Sequence, residues 1–335
     1  MIVGICGYGY TGSGAVLDLI KETDSCRLIE TEFMLPYFPD GLEDLAYHLV
    51  EQPSRFFSSD IALLRFRELT RKMAKQPGNV CNRASHGEFG RLSDEYIQAI
   101  TQIVWKGYWV VEPFIAENDA ARIKRKVLRH VIPRRSALRE KACRDLRFSI
   151  RPEAFYEKTE AYLKAIVGEK GNSEMIVINQ PFPANAPGRS MKLFGKGTKA
   201  VIVDRDPRDV YLLCRDHVKT RWVPTDSVEK FITYYQQLHA FRTENPDILY
   251  LRFEDLVFDY ENTKDRIFRF LGVDPARHTR KRQFFNPDVS AGNTLLFRKD
   301  TAREADIRRI EAELKEYLYP FPETGCREYA GGDIF

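Results

Sequence analysis

The first 20 residues change from one hydrophobic pattern to another. Residues 1–6 are apolar and partly β-branched, which predicts a short buried strand. Four glycines follow between Gly7 and Gly14. Beyond this glycine-rich turn, apolar residues recur at the spacing of a helix face: Ala15, Val16, Leu19 and Ile20. The chain therefore begins with a predicted strand, turn and helix.

Strand-like and helical patterns also alternate later in the chain. Short apolar runs predict strands at 27–33, Met175–Asn179, 200–204 and 248–253. Helical spacing predicts helices within 61–73, 231–238, 267–271 and 307–318. Because strands that alternate with helices typically form a parallel sheet covered by helices, the pattern predicts an α/β fold.

The alternation is missing from residue 50 to residue 168, which predicts a large helical insertion. Its centre, 121–151, holds 12 Lys or Arg against two acidic residues. A solvated helix face is the ordinary explanation of such a charge. The alternative is a rim for an anionic acceptor or for a membrane surface. A nucleic-acid partner is not expected, because no recognised binding motif accompanies the charge.

Composition narrows the class of protein. The chain has 335 residues, of which 43% are hydrophobic, and its net charge is +4. It therefore resembles neither a disordered chain nor a strongly basic nucleic-acid binder. It has no apolar run of about 18 residues and no basic leader, so we expect no membrane span and no secretory signal. The six cysteines form no C-x-x-C pair, so we expect free thiols, no metal site and a cytoplasmic location.

The glycine-rich turn, GYGYTGSG, is a candidate anion site. Such a turn exposes backbone N–H groups at the positive end of a helix dipole, although a tight turn can also need glycine only for its positive φ. The kinase and ATPase pattern G-x4-G-K-(S/T) fails, because Ser13 replaces the lysine and Gly14 replaces the metal-binding hydroxyl. The dinucleotide pattern G-x-G-x-x-G stays open, with Glu30 or Glu32 as the ribose-binding acid.

A second candidate phosphate ligand follows the predicted strand at 200–204. Arg205 comes at the carboxyl end of that strand, where open α/β sheets bind their ligands. Asp206 and Pro207 are a typical N-cap and first residue of a helix. A guanidinium fixed there suits a phosphate group. The alternative is a surface arginine paired with a neighbouring aspartate.

Four segments resemble sulfotransferases that use 3′-phosphoadenosine 5′-phosphosulfate (PAPS). The family's 3′-phosphate segment, usually R-(N/D)-P-x-D-x-x-x-S, is similar to VDRDPRDVYLLCRDH, and its 5′-phosphosulfate loop to GYTGSG. Its Y-E-D-L segment with the following helix is similar to LYLRFEDLVFDYENTKDRIFRFLGV, and its late loop to SAGNTLLFRK. The segments keep the family's order. The resemblance implies a P-loop-like three-layer α/β fold in a single domain, 1–335, whose insertion at 50–168 carries the acceptor side.

The same resemblance implies a set of cofactor-binding residues. The turn that would hold the 5′-phosphosulfate, through backbone groups and two hydroxyls, comprises Tyr10, Thr11, Gly12, Ser13 and Gly14. Arg205 would bind the 3′-phosphate. The residues that would complete that pocket are Ser290, Asn293, Arg298 and Lys299. Phe253 falls where an aromatic of the family can lie against adenine. The implied product is 3′-phosphoadenosine 5′-phosphate (PAP), and no metal is implied.

Two positions depart from the family. Tyr10 stands where a lysine commonly neutralises the leaving-group oxygen, so Lys192, Lys196 or a cation of the insertion would have to replace it. Leu213 replaces the serine eight residues after Arg205. These departures motivate one alternative, a non-catalytic relative that binds the nucleotide. A nucleotide-binding kinase or ATPase is the other alternative, although the turn lacks the lysine and the metal-binding hydroxyl of those enzymes.

Sulfuryl transfer to a hydroxyl needs a base for the acceptor proton. Glu32 is our first candidate, because it resembles a glutamate that some carbohydrate sulfotransferases place after the first strand–helix unit. Glu30 has the same side-chain parity and is the second candidate. His86, in a polar loop, is the third, because Gln180 lies near the position of the family's histidine. The expected acceptor is a hydroxyl of a carbohydrate or glycoconjugate.

Overall fold

The chain divides into two compact units. The computed structural model describes residues 1–109, 111, 131, 143–168, 175–300 and 302–321. One unit, here called the sheet unit, comprises Met1–Met34 and Glu169–Phe335. The other, the inserted unit, comprises Leu35–Gly168. The predicted insertion at 50–168 falls within the inserted unit, and most of the basic stretch at 121–151 lies outside the described residues.

Five strands of the sheet unit, as far as it is described, form one parallel sheet in the order β2–β5–β1–β6–β7. The strands of the described residues are β1 (Ile2–Gly7), β2 (Cys26–Ile29), β3 (Ile103–Gly107), β4 (Arg144–Phe148), β5 (Met175–Asn179), β6 (Lys199–Asp204) and β7 (Ile248–Arg252). β1 is central, so the turn that follows it lies at the middle of the sheet's carboxyl edge. The predicted α/β class with a central parallel sheet is confirmed.

The described helices follow the predicted alternation. They are α1 (Ser13–Lys21), α2 (Leu42–Ala46), α3 (Ser58–Lys75), α4 (Val80–Ala84), α5 (Phe89–Ile100), α6 (Phe155–Val167), α7 (Gly188–Leu193), α8 (Pro207–Leu212), α9 (Val228–His239), α10 (Phe253–Phe258), α11 (Tyr260–Leu271), α12 (Pro287–Ser290), α13 (Leu296–Lys299) and α14 (Glu304–Glu313). Two π-helical turns occur at Tyr47–Glu51 and Leu213–His217. None of the helices in the described ranges is long and apolar enough to cross a bilayer.

Both faces of the parallel sheet are buried. On one face, Val3 and Ile5 of β1 pack in a single cluster with residues of α1 and α11. On the other face, a Cβ at Gly4 would lie 2.3 Å from the Phe182 ring, so this strand position accepts only glycine. Phe182 in turn contacts Phe194 at the end of α7, with ring centroids 5.5 Å apart. Strands covered on both faces explain the continuous apolar runs of the sequence.

The inserted unit is mostly helical, but its described residues also contain a pair of antiparallel strands, β3 and β4, that the periodicity does not predict. A buried carboxylate secures it. Asp60 of α3 accepts hydrogen bonds from Arg144, from the Trp109 indole (2.8 Å) and from the Arg147 backbone N–H (2.7 Å). Helix packing is centred on stacked rings, Tyr96 and Tyr162, whose centroids are 4.5 Å apart. The strand pair depends on these long-range bonds, which a local pattern cannot reveal.

Candidate functional site

A cleft of about 550 Å³ opens at the carboxyl edge of the parallel sheet. We call the glycine-turn side the near wall, which comprises Tyr10, Gly12, Ser13, Gly14 and Ala15. We call the opposite side the far wall, which comprises Arg282, Gln283, Phe284, Phe285, Asn286, Val289, Ser290 and Asn293. Arg205 and Phe253 line the cleft between the walls. The glycine-rich turn and Arg205, which the sequence analysis singled out as anion sites, therefore line one cavity.

The near wall has a backbone that side chains would disrupt. Gly9, Tyr10 and Gly12 have φ angles of 93°, 56° and 91°. A Cβ at Gly12 would lie 2.4 Å from Cδ2 of Phe253. Gly14 differs, because a Cβ there would meet open space. The turn therefore brings the backbone close to the Phe253 ring and leaves the start of α1 accessible.

The first turn of α1 is suited to an anion. Within the described part of the chain, no side chain caps this helix and no acidic residue occupies its first turn. Its first N–H groups and the positive end of its dipole are therefore available at Ser13 and Gly14, which line the cleft.

Thr11 has a different role from the one expected. Its hydroxyl donates to the Val203 carbonyl (2.7 Å) and accepts from the Tyr8 N–H (3.1 Å), and the residue is buried. One bond joins the turn to β6, the other closes the turn on itself, and Thr11 does not line the cleft, so the structure does not bring this hydroxyl to the expected phosphosulfate position. The Ser13 hydroxyl does face the cleft and accepts a hydrogen bond from Gln180 Nε2 (3.3 Å).

Gln180 fastens the turn from a neighbouring strand. It follows β5, has a φ of 52°, and accepts a hydrogen bond from the Gly7 N–H at 3.2 Å through Oε1. Sequence analysis noted this residue only because it stands near the position of the family's histidine. Its contact with a glycine 173 residues earlier leaves no signal in a local pattern.

Arg205 connects the two walls. Its guanidinium donates to the Tyr10 carbonyl (3.3 Å) on the near wall and to the Asn293 carbonyl on the far wall. It also lies over the Phe253 ring, 5.2 Å from the centroid. Arg205 is buried, and its Nε has no hydrogen-bond partner among the described residues. A buried unpaired guanidinium N–H is costly, so this cation has donor capacity left for a ligand.

The start of α8 holds Arg205 in place. Asp206 is the N-cap, with its carboxylate accepting from the Arg208 N–H (2.9 Å), and Pro207 occupies the first turn, as predicted. The Asp206 N–H in turn donates to the buried Glu254 carboxylate at 2.7 Å. Burial raises the pKa of Glu254 to about 7, against the opposing charge of Arg252.

Buried carboxylates hold the far wall. Glu22, at the end of α1, accepts from the N–H groups of Phe284 (3.0 Å) and Phe285 (2.9 Å) and from His278 Nε2 (2.7 Å). Asp209 of α8 accepts from the N–H groups of Leu295 and Leu296, both at 2.8 Å. Burial raises the pKa of Asp209 to about 6. Neither carboxylate was singled out from the sequence.

The far wall contains only part of the predicted 3′-phosphate pocket. Ser290 and Asn293 line the cleft, whereas Arg298 and Lys299 are exposed in α13 and do not line it. The chain turns at Leu295, whose φ is 59°, where Asp209 binds the backbone. The structure therefore brings Ser290 and Asn293 to the cleft but not Arg298 and Lys299, whose roles in binding stay predictions.

The substitutes proposed for the missing lysine are also not at the cleft. Neither Lys192 nor Lys196 lines it, and the basic lining residues among those described are Arg205 and Arg282. Arg282 makes an exposed ion pair with Asp288 at 3.0 Å. Leu213 lines the cleft, so both departures from the family pattern, at Tyr10 and at this residue, belong to the cavity.

The candidate bases lie outside the cleft lining. Glu30 is exposed and pairs with Lys21 at 2.9 Å. Glu32 is exposed beyond the end of β2, and β5 separates that strand from β1. His86 belongs to the inserted unit, where it is exposed with a φ of 53°. The described residues contain no group of three His, Cys, Asp or Glu arranged for a metal ion. The catalytic roles of these three residues stay predictions.

Comparisons with known proteins give structural neighbours at low sequence identity. A complex of retinol dehydratase with androsterone and the inactive cofactor PAP is 12% identical and has a TM-score of 0.34, with 97% of this chain and 82% of that chain covered. The sulfotransferase domain of the curacin biosynthetic pathway is 13% identical with a TM-score of 0.37, with coverage of 97% and 94%. No protein-family model and no curated protein matches the chain. At these values the function has to be argued from the cleft itself.

Proposed function

We propose that the protein is a PAPS-dependent sulfotransferase that transfers a sulfuryl group to a hydroxyl of a carbohydrate or glycoconjugate. The observation that carries the proposal is the single cleft lined by both the glycine turn and Arg205. A nucleotide with phosphates at both ends of its ribose needs two separate anion sites with an apolar surface between them. The α1 N-terminus, Arg205 and Phe253 supply that combination.

The residues present fit this group. The unpaired Nε of buried Arg205, with Ser290 and Asn293 beside it, suits the 3′-phosphate. The open side of Gly14 and the first N–H groups of α1 suit the 5′ end. When bound, PAPS supplies the sulfuryl group and leaves as PAP. The chain's own contribution is to fix the donors, because Gln180 and the Thr11 hydroxyl hold the turn before any ligand arrives.

Binding of PAP tests the proposal directly. We expect calorimetry to give one site per chain and Arg205→Ala to weaken binding by about 10- to 100-fold, because charge-assisted hydrogen bonds are lost. Arg205→Lys keeps the positive charge but loses the paired N–H donors of the guanidinium, so its PAP affinity should fall between those of wild type and Arg205→Ala. Arg308→Ala is the matched control, since this exposed arginine of α14 lies outside the cleft and should leave PAP affinity unchanged. Absence of PAP binding by the folded wild type would refute the proposal.

The base is proposed to be Glu32. It follows β2 at the same carboxyl edge as the cleft, and its carboxylate would accept the acceptor proton during transfer. Glu32→Gln should abolish transfer of radiolabelled sulfate across a glycan panel while PAP affinity stays within about twofold. Glu30→Gln is the control and should retain activity, since Glu30 is paired with Lys21. Activity in Glu32→Gln would move the role to Glu30 or His86.

One observation favours a non-catalytic relative as the second candidate. Tyr10 and Leu213, the two residues that depart from the family, both line the cleft. A protein of this kind would bind PAP and transfer sulfate to no acceptor. A kinase or ATPase is not favoured, because the turn lacks the lysine and the metal-binding hydroxyl of those enzymes. Transfer to any acceptor of the panel would exclude the non-catalytic alternative.

A further inference from the structure

A second cavity, of about 510 Å³, lies beside the π-helical turn Leu213–His217. Its charged lining residues are Arg215, Asp216, Lys219, Arg221, Asp226 and Arg303. The remaining lining residues are uncharged. Basic side chains therefore outnumber acidic ones by four to two in this cavity, here called the basic pocket.

The acidic residues of the basic pocket are already neutralised. Asp216 pairs with Arg303 at 3.2 Å, and Asp226 pairs with Lys230 one helical turn away. In the part of the chain that the structure describes, no carboxylate makes an ion pair with the other three basic side chains, which are Arg215, Lys219 and Arg221. Because both acidic side chains have ion-pair partners of their own, the pocket keeps an excess of positive charge, which attracts an anion.

The segment that forms the pocket is tied at both ends. The Arg215 guanidinium donates to the Tyr211 hydroxyl (2.9 Å) and to the Thr225 carbonyl. The Thr220 N–H donates to the Cys214 carbonyl at 3.1 Å. Neutral acceptors position Arg215, and the attraction between its charge and Asp226 acts without an ion pair. The basic pocket is thus organised before a ligand binds.

The same segment reaches the nucleotide cleft. The Trp222 ring covers Gly9, where a Cβ would lie 2.0 Å from the ring. It also stacks on Tyr10 of the near wall, with centroids 5.3 Å apart and planes 23° apart. Within the π-helical turn, Leu213 lines the cleft while Arg215 lines the basic pocket. One short stretch of chain therefore separates the two cavities.

We infer that the basic pocket is a subsite for a phosphate or carboxylate group of the acceptor, which makes the acceptor a phosphorylated or carboxylated carbohydrate. The inference rests on the proposed function. Arg215, Lys219 and Arg221 bind the anionic group, and Trp222 lies between that group and the turn that holds the cofactor. This location differs from the basic stretch at 121–151, which the sequence analysis considered as an anionic-acceptor rim.

Amide NMR of the labelled protein with saturating PAP tests the inference, because the cofactor then fills the cleft. The probes are glucose 6-phosphate, glucose and inorganic phosphate. We expect glucose 6-phosphate to shift the signals of residues 218–226 and to bind at least tenfold more tightly than glucose. Lys219→Gln combined with Arg221→Gln should abolish that difference. The control Arg308→Gln combined with Lys315→Gln, which removes the same charge elsewhere, should keep it.

Each result of the titration supports or overturns a different part of the inference. Equal binding of the two sugars, or an unchanged preference in the pocket variant, overturns the subsite. Inorganic phosphate that binds as tightly as glucose 6-phosphate overturns the assignment to an acceptor, because the pocket then recognises a free anion. If PAP does not bind at all, the proposed function fails. The same titration without PAP still reports on residues 218–226 and decides the pocket by itself.

Discussion

The two walls of the cleft are built by different means. The near wall takes its shape from the glycines of one short turn, which lie within eight residues of one another in the sequence. Gly12 of the wall and Gly9 just before it both stand where a side chain would not fit. The far wall takes its shape from two buried carboxylates that bind its N–H groups from distant elements. Glu22 reaches Phe285 across 263 residues and Asp209 reaches Leu295 across 86.

This difference predicts two kinds of failure. A side chain added at Gly9 or Gly12 meets a fixed aromatic ring, so its effect is steric and large. A carboxylate altered beneath the far wall leaves N–H groups with a weaker acceptor, so its effect is graded and depends on charge. Arg205 binds a carbonyl of each wall, so damage to either wall should reach the nucleotide site.

The largest effect should come from Gly12→Ala. Alanine at a φ of 91° is strained, and its Cβ would lie 2.4 Å from the Phe253 ring. We expect a loss of about 2–4 kcal/mol in the free energy of unfolding and at least about 100-fold in PAP affinity. Denaturant unfolding and calorimetry measure the two quantities.

Gly14→Ala is the matched control for this substitution. It places the same methyl group two residues later, on the helix and in open space. Stability should stay within about 0.5 kcal/mol of wild type or rise slightly, because alanine favours a helix. If both variants lose the same stability, the near wall is not governed by steric exclusion and the comparison fails.

Asp209→Asn should have an intermediate effect on the far wall. The amide oxygen can still accept from Leu295 or Leu296, but the charge that strengthens both bonds is lost. We expect PAP affinity to fall about 5- to 20-fold with a loss of about 1–2 kcal/mol in stability. Asp265→Asn, in an exposed ion pair with Lys264 away from the cleft, serves as the control. An unchanged affinity in Asp209→Asn would show that Asn293 does not depend on this anchor.

The sequence reveals the near wall because its determinants are local. Glycine spacing after an apolar run predicts the turn, and Asp206 with Pro207 predicts the helix that follows Arg205. Only part of the far wall can be predicted from the sequence. Similarity of SAGNTLLFRK to a family loop leads to Ser290 and Asn293, but it cannot show that the chain turns at Leu295 and leaves Arg298 outside.

Residues that act through long-range contacts escape prediction for the same reason. Glu22 is the C-cap of an amphipathic helix, and Gln180 is one polar residue after a strand. Nothing in their neighbours shows that they bind backbone N–H groups 262 and 173 residues away. Their burial, not their spacing, marks them, and burial depends on the complete fold.

The pH-dependent effect concerns Glu254, which tests whether the near side of the site is free of buried charge. This carboxylate is fully buried, accepts from the Asp206 N–H at 2.7 Å, and lies 3.7 Å from Arg252 Nε. Burial raises its pKa to about 7. The folded protein therefore binds this proton more tightly than the unfolded chain, whose glutamates have a pKa of about 4.3.

The sign of the pH dependence follows from that order. Between about pH 5 and 7 the folded state holds the extra proton, so the free energy of unfolding should fall as the pH rises through this range, by on the order of 2 kcal/mol, and level off above it. Glu254→Gln keeps an acceptor for the Asp206 N–H and cannot titrate. Its stability should exceed that of wild type by a margin that grows from pH 5 to pH 8. A constant margin across that range would mean that Glu254 titrates near its ordinary pKa and stays charged from pH 5 to pH 8, so that the near side, like the far wall, would rest on a buried charge.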